Sequence, residues 1–242
     1  MAIRLLIVSS SPRPYGYCRR AAVFAKRVAE EVEGCTARHV DVYDYRIEFC
    51  AGCVSDNVLA CRRRCPLSDE LEKVLDMVEE SDAIIFVSPI YWYNVPAPMK
   101  ALIDRMTVFE NAIFVEGRSR LEGKVVGFAA IGNDVGAIAL IQNLMVTLNS
   151  MGAVIPPWAL AYHTAEESPL KNPRFVLDMA NVVHCTVLMV KCLKGLETPR
   201  EWYRADEEFK KIVTRIAEEV NKEFEELIEK NSWVQESREF ER

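Results

Sequence analysis

Four cysteines crowd into one stretch of the chain. Cys50-Ala51-Gly52-Cys53 is followed after seven residues by Cys61, then by Arg62-Arg63-Arg64 and Cys65-Pro66. Thiols at such spacing can converge on one metal centre, and a closing Cys-Pro is a feature of iron-sulfur loops. Three readings stand side by side: a [4Fe-4S] cluster on Cys50, Cys53, Cys61 and Cys65, structural zinc on the same ligands, or thiols that are reduced or disulfide-paired. The arginine run offsets thiolate charge, attracts an anionic cofactor, or is a solvated loop.

The other candidate chemistry lies in three loops, each following an apolar run. Ser9 to Cys18 offers hydroxyls, Arg13 and the amides that precede a helix, a combination suited to a phosphate dianion. It has a single glycine, Gly16, and lacks the Gly-Lys-Ser/Thr ending of a Walker loop. Pro89-Ile90-Tyr91-Trp92-Tyr93-Asn94 places three aromatic residues in a row at a strand end. They cannot all enter one core, so one or two should be exposed, free to stack on a planar heterocycle or to plug a subunit interface. Gly132-Asn133-Asp134-Val135-Gly136 permits close backbone approach through its glycines, or simply closes a turn. His39, His163 and His184 have no metal-like spacing, although His163 falls at a strand end where it would border the site. Cys185 and Cys192, seven apart in an apolar segment, read as buried packing thiols; Cys35 has no assigned role.

The elements that must position these groups follow from periodicity. Apolar runs at residues 3–8, 37–42, 83–88 and 124–131 read as strands, and a last short strand is predicted near 153–160. Between them lie helical patterns at 17–33, 69–80 (with Ser68 as cap), from Pro96 onward, and at 137–151; residues 173–193 form a covering helix. Strands alternating with helices imply a mainly parallel, doubly wound sheet, whose ligands sit beyond the carboxyl ends of the strands. Residues 201–230 are rich in Glu, Lys and Arg, with Phe209, Ile212, Ile216, Val220, Phe224, Leu227 and Ile228 at helical spacing. That stripe packs on its own subunit or on a neighbour.

Composition narrows the functional classes. The 242 residues are 50% hydrophobic and 27% charged, with a net charge of −6. The chain is long enough to bury a core without staples, and its acidic surplus argues against nucleic acid as a partner. No apolar run of about 18 residues is free of polar interruptions, so membrane insertion is not expected. Met1-Ala2-Ile3-Arg4 runs into a short apolar stretch with no signal-peptide pattern. A cytoplasmic, reducing setting is therefore expected, where grouped cysteines more often serve metal or redox chemistry.

Taken in order, Ser10-Ser11-Pro12-Arg13 with Gly16, Pro89-Ile90-Tyr91-Trp92-Tyr93, Met99-Lys100, Asp104-Arg105 and Gly132-Asn133-Asp134-Val135-Gly136 resemble one family. It is the NAD(P)H-dependent FMN reductase and iron-sulfur flavoprotein branch of the flavodoxin-like superfamily, and the resemblance covers about residues 3 to 193. It implies a five-stranded parallel sheet of order 2-1-3-4-5 with helices on both faces. Residues 1–195 would form the FMN-binding domain, 46–67 a cysteine-bearing insertion, and 196–242 a charged helical extension for packing or oligomerisation. It further implies FMN, with Ser9, Ser11, Arg13, Tyr17 and Cys18 around the phosphate. Pro89, Ile90, Tyr91, Trp92, Tyr93 and Asn94 would contact the ring system, and Gly132, Asn133, Asp134 and Gly136 would close its other edge.

Two departures stand out. Cys18 occupies a place where the family has Ser or Thr, and Asp56 stands where the iron-sulfur flavoproteins have their third cysteine. The activity implied is electron transfer from NAD(P)H or another donor through flavin to a quinone, free flavin or other acceptor, with no side-chain nucleophile. Asp104-Arg105 reads as a structural ion pair. A non-enzymatic electron-transfer flavoprotein and a zinc-stabilised interaction protein are the alternatives, and a homodimer or homotetramer is expected.

Overall fold

In β1 (Arg4–Ser9), Leu5 and Ile7 enter one core while Leu6 and Val8 enter the other, so a continuous apolar run serves a sheet covered on both faces. The structure, a computed structural model, describes residues 2–199 and 202–230. The end of the predicted extension, 231–242, lies outside the described residues.

After β1 come α1 (Tyr17–Glu31), β2 (Thr36–Asp41), α2 (Leu71–Glu80), β3 (Ala83–Pro89) and α3 (Ala97–Arg105). Two short turns of helix, α4 (Thr107–Glu110) and α5 (Ala112–Glu116), lead to β4 (Val125–Gly132) and α6 (Ala137–Ser150). β5 (Leu160–Thr164), α7 (Pro173–Leu193) and α8 (Glu207–Glu229) complete the order. The strands form one parallel sheet, β2-β1-β3-β4-β5. This is the flavodoxin-like order, and it puts the three candidate loops at one sheet edge. α1, α7 and α8 pack with one face, and α2, α3 and α6 with the other.

Two expected elements move. The last strand begins at Leu160, because Pro156 and Pro157 have no N–H to donate and cannot continue a ladder. Val154 makes only an isolated bridge to Val125 before the chain leaves the sheet, and it re-enters at Leu160. The second helix starts at Leu71 rather than Asp69, and Ser68 does not cap it. Asp69 instead accepts the Leu71 N–H, at 3.1 Å.

α7 is the one helix among the described residues long and apolar enough to cross a membrane by length and composition; most of it is buried here. It lies close to β4 because Gly127 carries no side chain. A Cβ there would meet Val182 Cγ1 at 2.8 Å and Thr186 Oγ1 at 3.0 Å. Gly127→Ala is expected to destabilise the protein by about 1–3 kcal/mol through overpacking. A lower urea midpoint with an unchanged m-value is the corresponding measurement.

The apolar stripe of α8 is used within the chain: Phe209, Ile216, Val220 and Phe224 are buried in the same core as α1 and α7. Of the two positions expected for the stripe, on its own subunit or on a neighbour, the first holds, and Leu227 is left exposed. Cys185 is buried as expected. Cys192, in the last turn of α7, is exposed, which corrects its reading as a packing thiol.

Candidate functional site

The loops after β1, β3 and β4 line one cleft of about 410 Å³, which continues through Ile90, Tyr91, Gly132 and Asn133 into a second hollow of about 420 Å³. Each falls in the range of small-molecule sites. Ser11, Arg13, Tyr17 and Cys18 stand at one end with Gly16; Pro89, Ile90, Tyr91, Gly132 and Asn133 form the middle. Trp92, Tyr93 and Asp134 line the outer hollow.

The inner end has the chemistry of an anion site. α1 starts at Gly16 with no side-chain cap, and Gly16 C=O takes the first intrahelical bond, from Arg20 N–H at 3.1 Å. The amides of Tyr17, Cys18 and Arg19 therefore have no carbonyl within the helix, and the positive end of the dipole lies at the cleft. Arg13 supplies the cationic side chain there. Cys18 contributes a neutral, poorly donating thiol, because burial and then the nearby Asp41 push its pKa far above the ordinary range, against the opposing Arg13.

The loop is held from below by a buried network. Asp41, at the end of β2, accepts from Ser11 N–H at 2.9 Å, Ser9 Oγ–H at 2.5 Å and Tyr43 N–H at 3.0 Å, and Arg19 Nε lies 3.4 Å from it. His39 Nε2 meets the same Ser9 oxygen at 2.8 Å, and burial lowers the imidazole's pKa. This corrects one sequence expectation: Ser9 is fully buried and its hydroxyl is engaged, so it does not reach the cleft. Ser11 stays on the wall, but its amide is taken by Asp41 and its hydroxyl donates to Arg13 C=O at 3.0 Å.

The aromatic loop is a two-residue hairpin. Tyr91 and Asn94 exchange both backbone hydrogen bonds, at 2.9 and 3.0 Å, while Trp92 and Tyr93 sit at φ of 50° and 67°. Such turns favour Asn and Gly, and a non-glycine residue held there costs about 1–3 kcal/mol. The cost accompanies an exposed ring: Trp92 is 94% accessible. Asn94 is kept from the cleft by bonding its own turn, its side chain accepting from Val95 N–H. Gly136 lies behind the wall at φ +107°, where a Cβ would come within 3.0 Å of the Tyr93 backbone.

Ala165 and Glu166, after β5, and Ile228 of α8 also border the cleft. Sequence reasoning missed the first two because it placed the last strand too early; Ile228 belongs to the apolar stripe of the last helix, and nothing local directs it to the cleft. Tyr17 Oη–H ties this fourth loop down by donating to Glu166 C=O at 3.0 Å. His163 does not border the site. It is buried, with Nε2 3.0 Å from Glu167 C=O.

The cysteine segment folds as two short turns, Cys53–Ser55 and Val58–Ala60. All four of its thiols are free. Cys50, Cys53, Cys61 and Cys65 share the lining of one small cavity with Asp104 and Arg105 of α3, Thr107 and Val108. The Cys61 thiol is pushed up to about 11 by burial and then by the proximity of Cys53, Cys50 and Cys65. In number and softness these donors fit an iron-sulfur cluster or zinc. Among the described residues no three Cys, His, Asp or Glu side chains are already drawn together as metal ligands.

Asn111 Nδ2 fastens the segment, donating to the carbonyls of Val58 at 2.7 Å and Cys61 at 2.6 Å. Arg63 is not part of a solvated run. It packs among Glu72, Asp76 and Glu79 and over the Phe109 ring. Asp104 and Arg105 are not partners of each other: Asp104 pairs with Lys100, and Arg105 with the buried Asp69.

The NADPH-dependent FMN reductase family model matches residues 3–167. An iron-sulfur flavoprotein of Archaeoglobus fulgidus is 31% identical over 125 residues, 52% of this chain and 54% of that protein. An NAD(P)H-dependent FAD/FMN reductase of Geobacillus thermodenitrificans is 26% identical over 177 residues, 72% of this chain and 84% of that one. The chain thus spans about half the length of the first of these relatives. Among solved structures, RosB with a bound 8-demethyl-8-formylriboflavin-5'-phosphate intermediate superposes with a TM-score of 0.67 at 20% identity, over 80% of this chain and 81% of that one. That likeness is one of fold.

Proposed function

Since the chain belongs to the NADPH-dependent FMN reductase family, we propose that it binds FMN in the cleft and acts as a flavin-dependent oxidoreductase. In this reading it takes electrons from NAD(P)H and passes them to a quinone, a free flavin or another small acceptor. The observation that carries the reading is the cleft itself: three strand-end loops meet where the uncapped amides of α1 face Arg13 and a band of aromatic side chains. FMN would supply the redox chemistry, accepting hydride and releasing electrons.

The protein's part is binding and orientation. The amides of Tyr17 and Cys18, with Arg13, would hold the phosphate. Ile90, Tyr91, Gly132 and Asn133 offer backbone and ring faces to the planar heterocycle, and Gly132 keeps that wall thin. A Cβ there would sit 3.0 Å from Ile90. Trp92, Tyr93 and Asp134 border the open side, where a nicotinamide or an acceptor would approach. The exposed rings of Tyr91, Trp92 and Tyr93 and the neighbouring Val135 and Ile138 also offer a face for a second copy of the chain.

A second reading adds to the first. Four thiols on one cavity wall favour a [4Fe-4S] cluster held by Cys50, Cys53, Cys61 and Cys65, which would make the protein an electron relay; zinc would use the same ligands. Several curated relatives carry the name iron-sulfur flavoprotein. One experiment separates the readings: an ultraviolet-visible spectrum of anaerobically purified protein, with FMN titration, NADPH oxidation and analysis for iron, sulfide and zinc. A flavin spectrum with NADPH turnover is expected. Colourless protein that binds no FMN would overturn the oxidoreductase reading, and bound flavin with negligible NADPH oxidation would favour the relay.

A further inference from the structure

The cysteine cavity has a fifth member that its sulfur ligands do not account for. Arg105 ends α3 and lines the same cavity as the four thiols. Its side chain is 1% exposed. One nitrogen is used: Nη1 meets the Asp69 carboxylate and donates to Glu48 C=O at 3.2 Å. The other two, Nε and Nη2, are buried and have no hydrogen-bond partner. Leaving charged donors unpaired in the interior is costly, so such donors normally have an acceptor in the working state of a protein.

We propose that Arg105 is the positioning residue of the four-cysteine pocket, its Nε and Nη2 donating to the Cys65 sulfur once that sulfur is a metal-bound thiolate. The proposal rests on the iron-sulfur reading above. A neutral thiol is a weak acceptor, whereas a ligating thiolate is a strong one, and the planar fork of a guanidinium presents two parallel donors to it. Asp69 neutralises the opposite edge of the group and fixes its plane. Among the four thiols, that of Cys65 interacts with the Arg105 guanidinium, and both line the same cavity. Hydrogen bonds and positive charge at cluster sulfurs stabilise the more negative reduced state and so raise the reduction potential.

The test is anaerobic reconstitution of the full chain with ferrous iron and sulfide, followed by iron analysis and a potentiometric titration of the cluster. The variants are R105Q, R105K and D69N. R105Q loses the charge and is expected to shift the oxidised-to-reduced ratio at least tenfold toward the oxidised form, a fall of 59 mV for one electron. R105K keeps the charge but not the fork, and should fall less. D69N keeps both free donors and removes a negative charge, so its potential is expected to hold or to rise.

A fall in R105Q with no fall in D69N supports the proposal, because both substitutions break the same buried pair and simple loosening would move them together. If R105Q does not fold, R105K against D69N makes the same comparison. Iron-loaded variants with the parental potential, or a common fall in all three, would overturn the role of Arg105 and leave the cluster standing. Parental protein that takes up no iron would overturn the cluster reading and this proposal with it.

Discussion

Gly16→Ala is expected to lower FMN affinity on the order of 100-fold or more, two steps of about 1.4 kcal/mol each. The cause is steric and not torsional. Gly16 sits at φ −66° and ψ 155°, which alanine adopts freely. A Cβ at this position would overlap Ser11 Oγ and approach Arg13 C=O to 3.0 Å. Ser11 would have to give up its bond to that same carbonyl, and the turn that aims Arg13 and the first amides of α1 would open. Fluorescence titration with FMN measures the loss. The double variant Ser11→Ala/Gly16→Ala should recover only part of it, since the carbonyl contact remains. Parental affinity in Gly16→Ala would remove the phosphate-loop assignment.

Asp41→Ala is expected to cost about 3–5 kcal/mol of stability, the range found when one partner of a buried charged network is removed. Three donors, the buried Ser11 amide and Ser9 hydroxyl and the half-buried Tyr43 amide, would lose their acceptor, the buried two at about 1–3 kcal/mol each before relaxation. Asp41→Asn keeps one acceptor oxygen and should lose less. Urea titrations compare the two, and FMN binding should weaken in both, because the network joins the ends of β1 and β2 under the phosphate loop. A stability within about 1 kcal/mol of the parent in Asp41→Ala, the usual size of a single-substitution effect, would mean that water satisfies these donors.

The contrast between these two residues explains what could be read in advance. Gly16 belongs to a local pattern, a turn residue opening a helix, and such patterns are visible in the chain. The same holds for the apolar runs of β1, β3 and β4 and for the 3.6-residue periodicity of α1, α7 and α8. Asp41 is not legible as a loop-holder because Ser9 and Ser11, at the end of β1 and in the loop after it, lie thirty or more residues earlier in the chain. Ser9 was misjudged for the same reason: the hydroxyl looked like a phosphate ligand, and tertiary contact turned it inward. Pro156-Pro157 displaced the last strand through the absence of two donors, and with it went the loop carrying Ala165 and Glu166. Ile228 and Arg105 reach their sites only because helices distant in sequence pack beside them.

α3 has one further implication. It starts directly after the aromatic loop and ends at Arg105, so its nine residues, about 13 Å of rigid rod at 1.5 Å each, connect the cleft to the cysteine cavity. A rod of this kind fixes angular phase as well as distance. Adding or removing one residue would turn everything beyond it by about 100°, swinging Arg105 off the cavity wall while the cleft stayed intact. The length of α3 therefore acts as a key that both chambers must share, and a change of length would uncouple them without altering a single residue in either.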